Sequence, residues 1–221
     1  MAPRNGEGLF ASPGRAAVPP IRPDLRLIVE MVAPKSRVLD IGCGDGTLLA
    51  YLTRHKQVDG RGIEISMDGV HTCVSQGLSV IQGNADTDLK DYPSDAFDYA
   101  ILSQTLQATQ TPREIIQHLV RIARRAIVSF PNFGYWRVRL SLLASGRMPR
   151  TERLSYQWWE TPNIHLCTIK DFLALAGEIG IVIEAGYTLD RADRVRGTGT
   201  GRFANLWGEQ AVFLLSRGET K

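Results

Sequence analysis

From Arg22 onward the chain alternates between two rhythms of apolar positions. Short β-branched runs, "RVLDIG" (37–42), "GRGIEIS" (60–66), "LSVIQG" (78–83), "FDYAILS" (97–103) and "RAIVSF" (125–130), have the length and composition of buried strands. Between them, "DLRLIVEMV" (24–32), "TLLAYLTRH" (47–55), "DGVHTCVSQG" (68–77) and "PREIIQHLVRIA" (112–123) carry apolar residues at helical spacing. Strand alternating with helix predicts an α/β, Rossmann-like doubly wound fold whose mostly parallel sheet is covered on both faces. Two later runs, "IVIEAGYTLD" (181–190) and "QAVFLLSR" (210–217), are strand-like with no helix between them. They are expected to complete a seven-stranded sheet as an antiparallel hairpin, with the residues between them forming a long loop at its tip. A further helix is expected over "IKDFLALAGEIG" (169–180).

At 221 residues the chain can bury one substantial core, and 22–221 reads as a single domain. Residues 1–21 are rich in Gly, Pro and Ala without periodicity, and read as a disordered extension that lacks the apolar core of a signal peptide. No apolar run approaches the roughly 20 residues needed to span a membrane. Cys43, Cys73 and Cys167 are widely spaced and odd in number, which points to neither disulfides nor a metal site and fits a reducing cytoplasm. The formal charge of +3 is too small to imply nucleic acid, and no recognised nucleic-acid motif is present.

The stretch "RVLDIGCGDGTLLAYL" (37–52) joins the first strand to the first helix after it. In doubly wound sheets the ligand sits beyond the carboxyl ends of the strands, where this turn lies. Gly42, Gly44 and Gly46 allow close backbone approach, and Cys43 between them is small enough to fit the turn. Position 47 is Thr, so the dinucleotide spacing G-x-G-x-x-G is not met. Asp40 before the first glycine would repel a pyrophosphate but could receive a cationic amino group. Asp-x-Gly-x-Gly-x-Gly is the pattern expected for S-adenosylmethionine. Glu64, with Ile65 beside it, ends the second strand, where a carboxylate can accept ribose hydroxyls. The turn holding Asn84, Ala85 and Asp86 follows the third strand and is placed to meet the adenine edge. Ser103 and Gln104 leave the fourth strand over the methionine end. Taken alone, the glycines also fit a bare strand-to-helix turn.

These segments resemble the class I S-adenosylmethionine-dependent methyltransferases. More specifically, "RPDLRLIVEMV", "GIEIS", "FDYAILSQTLQAT", "SFPNFGYWRVRLSLLASGRMP" and "YQWWETPNIHLCTIKDF" resemble the MetW family of methionine-biosynthesis proteins, from about Arg22 almost to the C-terminus. That resemblance implies S-adenosylmethionine or S-adenosylhomocysteine as ligand. It also implies homoserine O-acyltransferase, acetyl or succinyl, as partner. Asn84 departs from the aspartate usual at that position, and offers an uncharged acceptor in its place.

A methyl acceptor is harder to read. "LSQT" stands where an Asn/Asp-Pro-Pro-aromatic motif would follow the fourth strand, which disfavours methylation of amide or nucleobase nitrogens by that mechanism. His165 is the candidate base because its ordinary pKa lies near neutrality. The favoured alternative is a histidine bonding its own loop ahead of the helix that Thr168 and Asp171 begin. His55, His71 and His118 are expected on outer helix faces. Residues 133–163 interrupt the strand–helix alternation with aromatics and arginines, among them Trp136, Trp158, Trp159, Arg137, Arg139, Arg150 and Arg153. Helix is favoured over strand near Trp136, with Trp136, Leu140 and Leu143 sharing a face. The segment reads as a lid or a docking surface. Two functions stand: an S-adenosylmethionine-binding partner of homoserine O-acyltransferase, or a small-molecule methyltransferase.

Overall fold

A computed structural model describes residues 21–151 and 153–218. Apart from Ile21, the expected N-terminal extension lies outside the described residues. Strands β1 (Arg37–Ile41), β2 (Asp59–Glu64), β3 (Ser79–Gln82), β4 (Phe97–Ser103) and β5 (Ala123–Pro131) pair in parallel. β6 (Ile181–Leu189), β7 (Val195–Thr198) and β8 (Gln210–Arg217) extend the sheet, with β8 antiparallel to both β5 and β6. The order is β3-β2-β1-β4-β5-β8-β6-β7. The sheet therefore has eight strands rather than the expected seven. The extra one, β7, lies inside the expected hairpin loop, beside a four-residue helix, α8 (Ala204–Trp207). All four β7 residues are exposed at the sheet edge, and the strand pairs only with β6, so no burial pattern marks it.

The other helices are α1 (Pro23–Met31), α2 (Thr47–Lys56), α3 (Met67–Ser75), α4 (Ala85–Asp88), α5 (Pro112–Ile122), α6 (Trp136–Ser145) and α7 (Ile169–Glu178). Alternate residues of a strand point to opposite faces, which divides the core in two. Leu39, Ala100, Val128 and Phe213 pack with Ile116 and Leu119 of α5 and Phe172 of α7. Val38, Ile101, Ile127 and Val212 pack with Leu25 and Ile28 of α1 and Leu52 of α2, and Ile21 is buried with them. Asp40 is in step with Val38, so it points toward the α1 side of the sheet. No described helix is long and apolar enough to cross a membrane, and no group of three or more candidate metal-ligating side chains occurs among the described residues.

Asn132 fastens the second half of the fold. It is 1% exposed at the end of β5. Its Nδ2 donates to the carbonyls of Asn205 (3.0 Å) and Gly208 (2.7 Å). Its Oδ1 accepts from the amides of Gly134 (3.0 Å) and Ile169 (3.2 Å). One side chain thus ties the start of α7 and the loop after α8 to the entry into α6. A Cβ on Gly134 would come 2.5 Å from Asn205 Oδ1, so glycine is required beside it.

Asn132→Ala leaves four buried backbone groups unpaired at 1–3 kcal/mol each before relaxation. Urea denaturation is expected to show a loss of about 3 kcal/mol. A loss within experimental error would show that this junction does not depend on the side chain.

Candidate functional site

Because β1, β2, β3 and β4 are adjacent and parallel, their carboxyl ends form one row, and most of the expected site residues lie along it. Asp40 and the glycine loop leave β1, Glu64 and Ile65 leave β2, Asn84 to Asp86 follow β3, and Ser103 and Gln104 leave β4. The β1 loop is held by its neighbour. Gly42 and Cys43 donate to the carbonyl of Ile63, and Gly44 donates to Glu64 Oε2 at 2.7 Å. Glu64 Oε1 accepts from the Ser66 amide at 2.9 Å, so one carboxylate links the β1 loop to the start of α3. Gly69 of α3 closes on this link; a Cβ there would lie 2.9 Å from the Gly44 carbonyl oxygen.

The three loop glycines all have positive φ, but for different reasons. A Cβ on Gly42 would meet Thr105 Oγ1 at 2.6 Å, and one on Gly46 would meet Leu78 Cδ1 at 2.5 Å. Those two positions are filled by the protein itself. A Cβ on Gly44 would meet nothing within 4 Å. The open side of the loop is therefore at Gly44, between Asp40 and Glu64.

Asp40 is 2% exposed, and its carboxylate has no hydrogen-bond partner among the described residues. Burial pushes its pKa up to about 7, the charge of Glu64 adds to this, and the Arg22 guanidinium at the start of α1 opposes it. After β4, Gln104 adopts a left-handed φ of 56°, a conformation that is costly for a residue with a Cβ. Gln104 Nε2 and Gln107 Oε1 are buried without partners. A buried carboxyl, two orphaned amide atoms and a strained turn thus occur at and just beyond the ends of the adjacent strands β1 and β4, and such groups are more often functional than structural. The two acids flanking the crevice at Gly44 suit a cationic group and vicinal hydroxyls, not phosphates. The Glu64 oxygens each retain acceptor capacity after their backbone bonds. Ile65, 64% exposed, offers an apolar surface beside them.

Other expected site residues are placed differently. Asn84 Oδ1 accepts from the Asp86 amide and caps α4. The Asp86 carboxylate is taken up by the amides of Gln110 and Thr111 ahead of α5, so it braces the crevice wall. Ser103 Oγ lies 3.2 Å from Ser129 Oγ. Cys43 is buried, and burial pushes its thiol well above the usual range, which does not favour a nucleophile. The His165 ring is exposed and makes no hydrogen bond among the described residues. Its backbone amide, not its ring, fixes the loop, by donating to the Gln107 carbonyl at 2.9 Å, which corrects the expectation of a ring bonding its own loop. Thr168 caps α7 by accepting from the Asp171 amide at 3.2 Å. His55 and His71 are exposed, while His118 is half-buried and accepts from Arg121 Nε at 3.3 Å. Arg22, Ser66, Gly69, Thr105 and Gln107 shape the crevice through contacts that no local sequence pattern announces.

The segment after β5 is helical at α6, as expected. Val138 is its buried residue, whereas Leu140 and Leu143 are exposed and Trp136 is half-buried. Arg139 donates to the Gly134 carbonyl, Arg150 to that of Ser155, and Arg153 pairs with Asp193. Arg139 and Arg150 thus bond within the segment and Arg153 ties it to the turn before β7, while Leu140, Leu143, Trp158 and Trp159 are exposed.

The family model described as "Methionine biosynthesis protein MetW" matches residues 22–215. The bifunctional methionine biosynthesis protein MetXA/MetW of Rhodopirellula baltica is 33% identical over 205 residues, which cover 88% of this chain. The chain spans 32% of that relative's length. A SAM-dependent methyltransferase from Thermotoga maritima has the same fold, with a TM-score of 0.64 at 18% identity over 88% of this chain and 87% of that one. A second, from Archaeoglobus fulgidus, gives 0.61 at 14% identity over 87% and 91%.

A raised carboxyl pKa stabilises the fold while the group is protonated, and this contribution is lost as pH rises through the folded value. Stability is therefore expected to decline between about pH 4 and pH 7 on account of Asp40. Asp40→Asn should remove that part of the decline and be more stable than the parent at pH 8. Parallel stability–pH curves for the two proteins would contradict the assignment.

Proposed function

The chain belongs to the MetW family, matched over residues 22–215, and on that premise we propose that it binds S-adenosylmethionine or S-adenosylhomocysteine and associates with homoserine O-acyltransferase, supporting or regulating homoserine acylation in methionine biosynthesis. The observation that carries the ligand reading is the open face of Gly44 between two acids. Asp40 would receive the ammonium, Glu64 the ribose hydroxyls, and Ile65 with the Asn84–Ala85 turn would border the adenine. Bound S-adenosylmethionine would bring an electrophilic methyl group. This chain's residues supply the binding and the charge.

Support for the partner comes from the Rhodopirellula relative, whose name joins MetXA to MetW in one bifunctional protein. Association of this kind needs a surface on which the two proteins meet. Leu143 is 85% exposed, Trp158 68% and Trp159 62%, with the two indole rings perpendicular at 5.6 Å. Exposed apolar side chains gathered on one segment are characteristic of protein-binding surfaces. Methyl transfer to a small molecule is the second reading. It is favoured by the exposed ring of His165, whose backbone is pinned beside the turn after β4.

Gly44→Ala is expected to cost about 1 kcal/mol of stability, for a left-handed residue with a Cβ, while reducing S-adenosylhomocysteine binding below detection by calorimetry. Gly46→Ala should instead cost about 2–3 kcal/mol, because its Cβ overlaps Leu78 and Cys73. Unchanged affinity in the Gly44 variant would remove the crevice assignment.

Leu143→Asp combined with Trp158→Ala is expected to weaken the complex with homoserine O-acyltransferase by about 2 kcal/mol or more, roughly thirtyfold in Kd. Thermal stability and nucleoside binding should be retained. Trp136→Ala, by contrast, should lower thermal stability, because that ring packs against Tyr135 and Trp207. If the purified parent proteins do not associate at micromolar concentration, with or without nucleoside, the partner reading is wrong.

A further inference from the structure

The start of α6, the end of β6, β7 and the segment leading into α8 enclose an open groove of about 1050 Å³. It shares no lining residue with the glycine crevice. Five arginines line it, Arg137, Arg191, Arg194, Arg196 and Arg202, with Asp190 the one carboxylate among the described lining residues. Asp190 acts as a brace. Its Oδ1 accepts from the amides of Ala192 and Arg194, and its Oδ2 accepts from Arg196 Nε at 2.8 Å and Arg194 Nε at 3.1 Å. Burial pushes this carboxyl up, but the hydrogen bonds from Arg196, Arg194 and Ala192 outweigh burial and hold it down at about 2. It stays ionised, fixes two guanidiniums, and leaves the groove with a cationic excess.

Aromatic faces stand among these charges. Trp207 is 54% exposed and Phe203 62%. The Arg202 guanidinium lies 5.9 Å from the Phe203 ring centre, and that of Arg137 lies 5.6 Å from the centre of Trp136. Neither Arg137 nor Arg202 has an ion-pair partner among the described residues. Guanidinium forks match phosphate oxygens in pairs, and exposed aromatic faces accept planar rings.

We propose that this groove binds a nucleotide carrying two or more phosphates, its phosphates on the arginines and its base against Trp207 and Phe203. The two ligand-binding regions then sort nucleotides by charge. Asp40 and Glu64 repel phosphates and suit a cationic nucleoside, whereas the arginine groove attracts polyanions. A volume near the upper end for small-molecule sites has room for one nucleotide. The proposal does not depend on the ligand or partner assigned above.

Calorimetric titration of the full chain with ADP tests it. Binding is expected in the micromolar range, weakening as salt rises. Arg202→Glu should reduce affinity at least about tenfold, and Trp207→Leu should reduce it as well. Arg202 is exposed, so its variant should keep the parent's melting temperature; that variant decides the matter if the Trp207 change unfolds the protein. Saturating S-adenosylhomocysteine should leave ADP affinity unchanged. Several results would each overturn the proposal. These are no ADP binding at millimolar concentration, displacement of ADP by S-adenosylhomocysteine, and equal ADP affinity in the folded Arg202 variant. An oligouridylate bound far more tightly than ADP would also overturn it, by making the groove a nucleic-acid surface.

Discussion

The Glu64 carboxylate holds the candidate site together. It is 8% exposed at the end of β2 and accepts from Gly44 on one oxygen and from Ser66 on the other. Through it, the loop after β1 and the helix after β2 become one unit, which Gly69 closes from above. Charge-assisted bonds to backbone amides are short and strong, so a single side chain can set the shape of a loop whose glycines would otherwise roam. Ligand hydroxyls bound at Glu64, as proposed, would share this carboxylate with the backbone. Loading the crevice and stiffening its loop are therefore expected to be coupled.

Asp40 complements it through an energetic conflict. No described residue donates to its buried carboxylate, and the charge of its neighbour Glu64 raises its pKa further. The fold carries that cost where a cationic ligand would relieve it, a trade seen when function opposes stability. Farther along the same sheet, the arginines around β7 make the opposite arrangement, an excess of cations around aromatic faces. The molecule thus carries two regions of opposite electrostatic preference on one sheet, the second of them bordered by the start of α6.

Much of this was legible in the residue pattern, and the exceptions have physical causes. The strands β1, β2, β4 to β6 and β8, and the long helices, follow from apolar periodicity because burial is what that periodicity reports, whereas β3 buries only Val80. β7 escapes because backbone pairing alone holds Val195–Thr198, all of it exposed. Spacing identified the α6 helix but not its orientation, since a stripe of apolar residues does not say what covers it; Val138 faces the core and Leu143 faces out. That Asp40, Gly44 and Glu64 lie along one row was readable because strand ends line up in parallel sheets. Asp86 was expected at the adenine edge, whereas its carboxylate is occupied by the Gln110 and Thr111 amides, a tertiary contact that neighbouring residues do not encode. Asn132 likewise looked like part of a family-specific run, and its four buried hydrogen bonds emerge only when β5, α7 and the β8 approach are in place.

Amide hydrogen exchange with and without saturating S-adenosylhomocysteine tests the central claim most directly, because the Glu64 clasp and the ligand act on the same backbone groups. The structure leads to slowed exchange at the amides of residues 42–46 and 64–69, with the α6 helix unchanged. Exchange that is unaltered in both stretches at saturation, or slowed only elsewhere, would contradict the account.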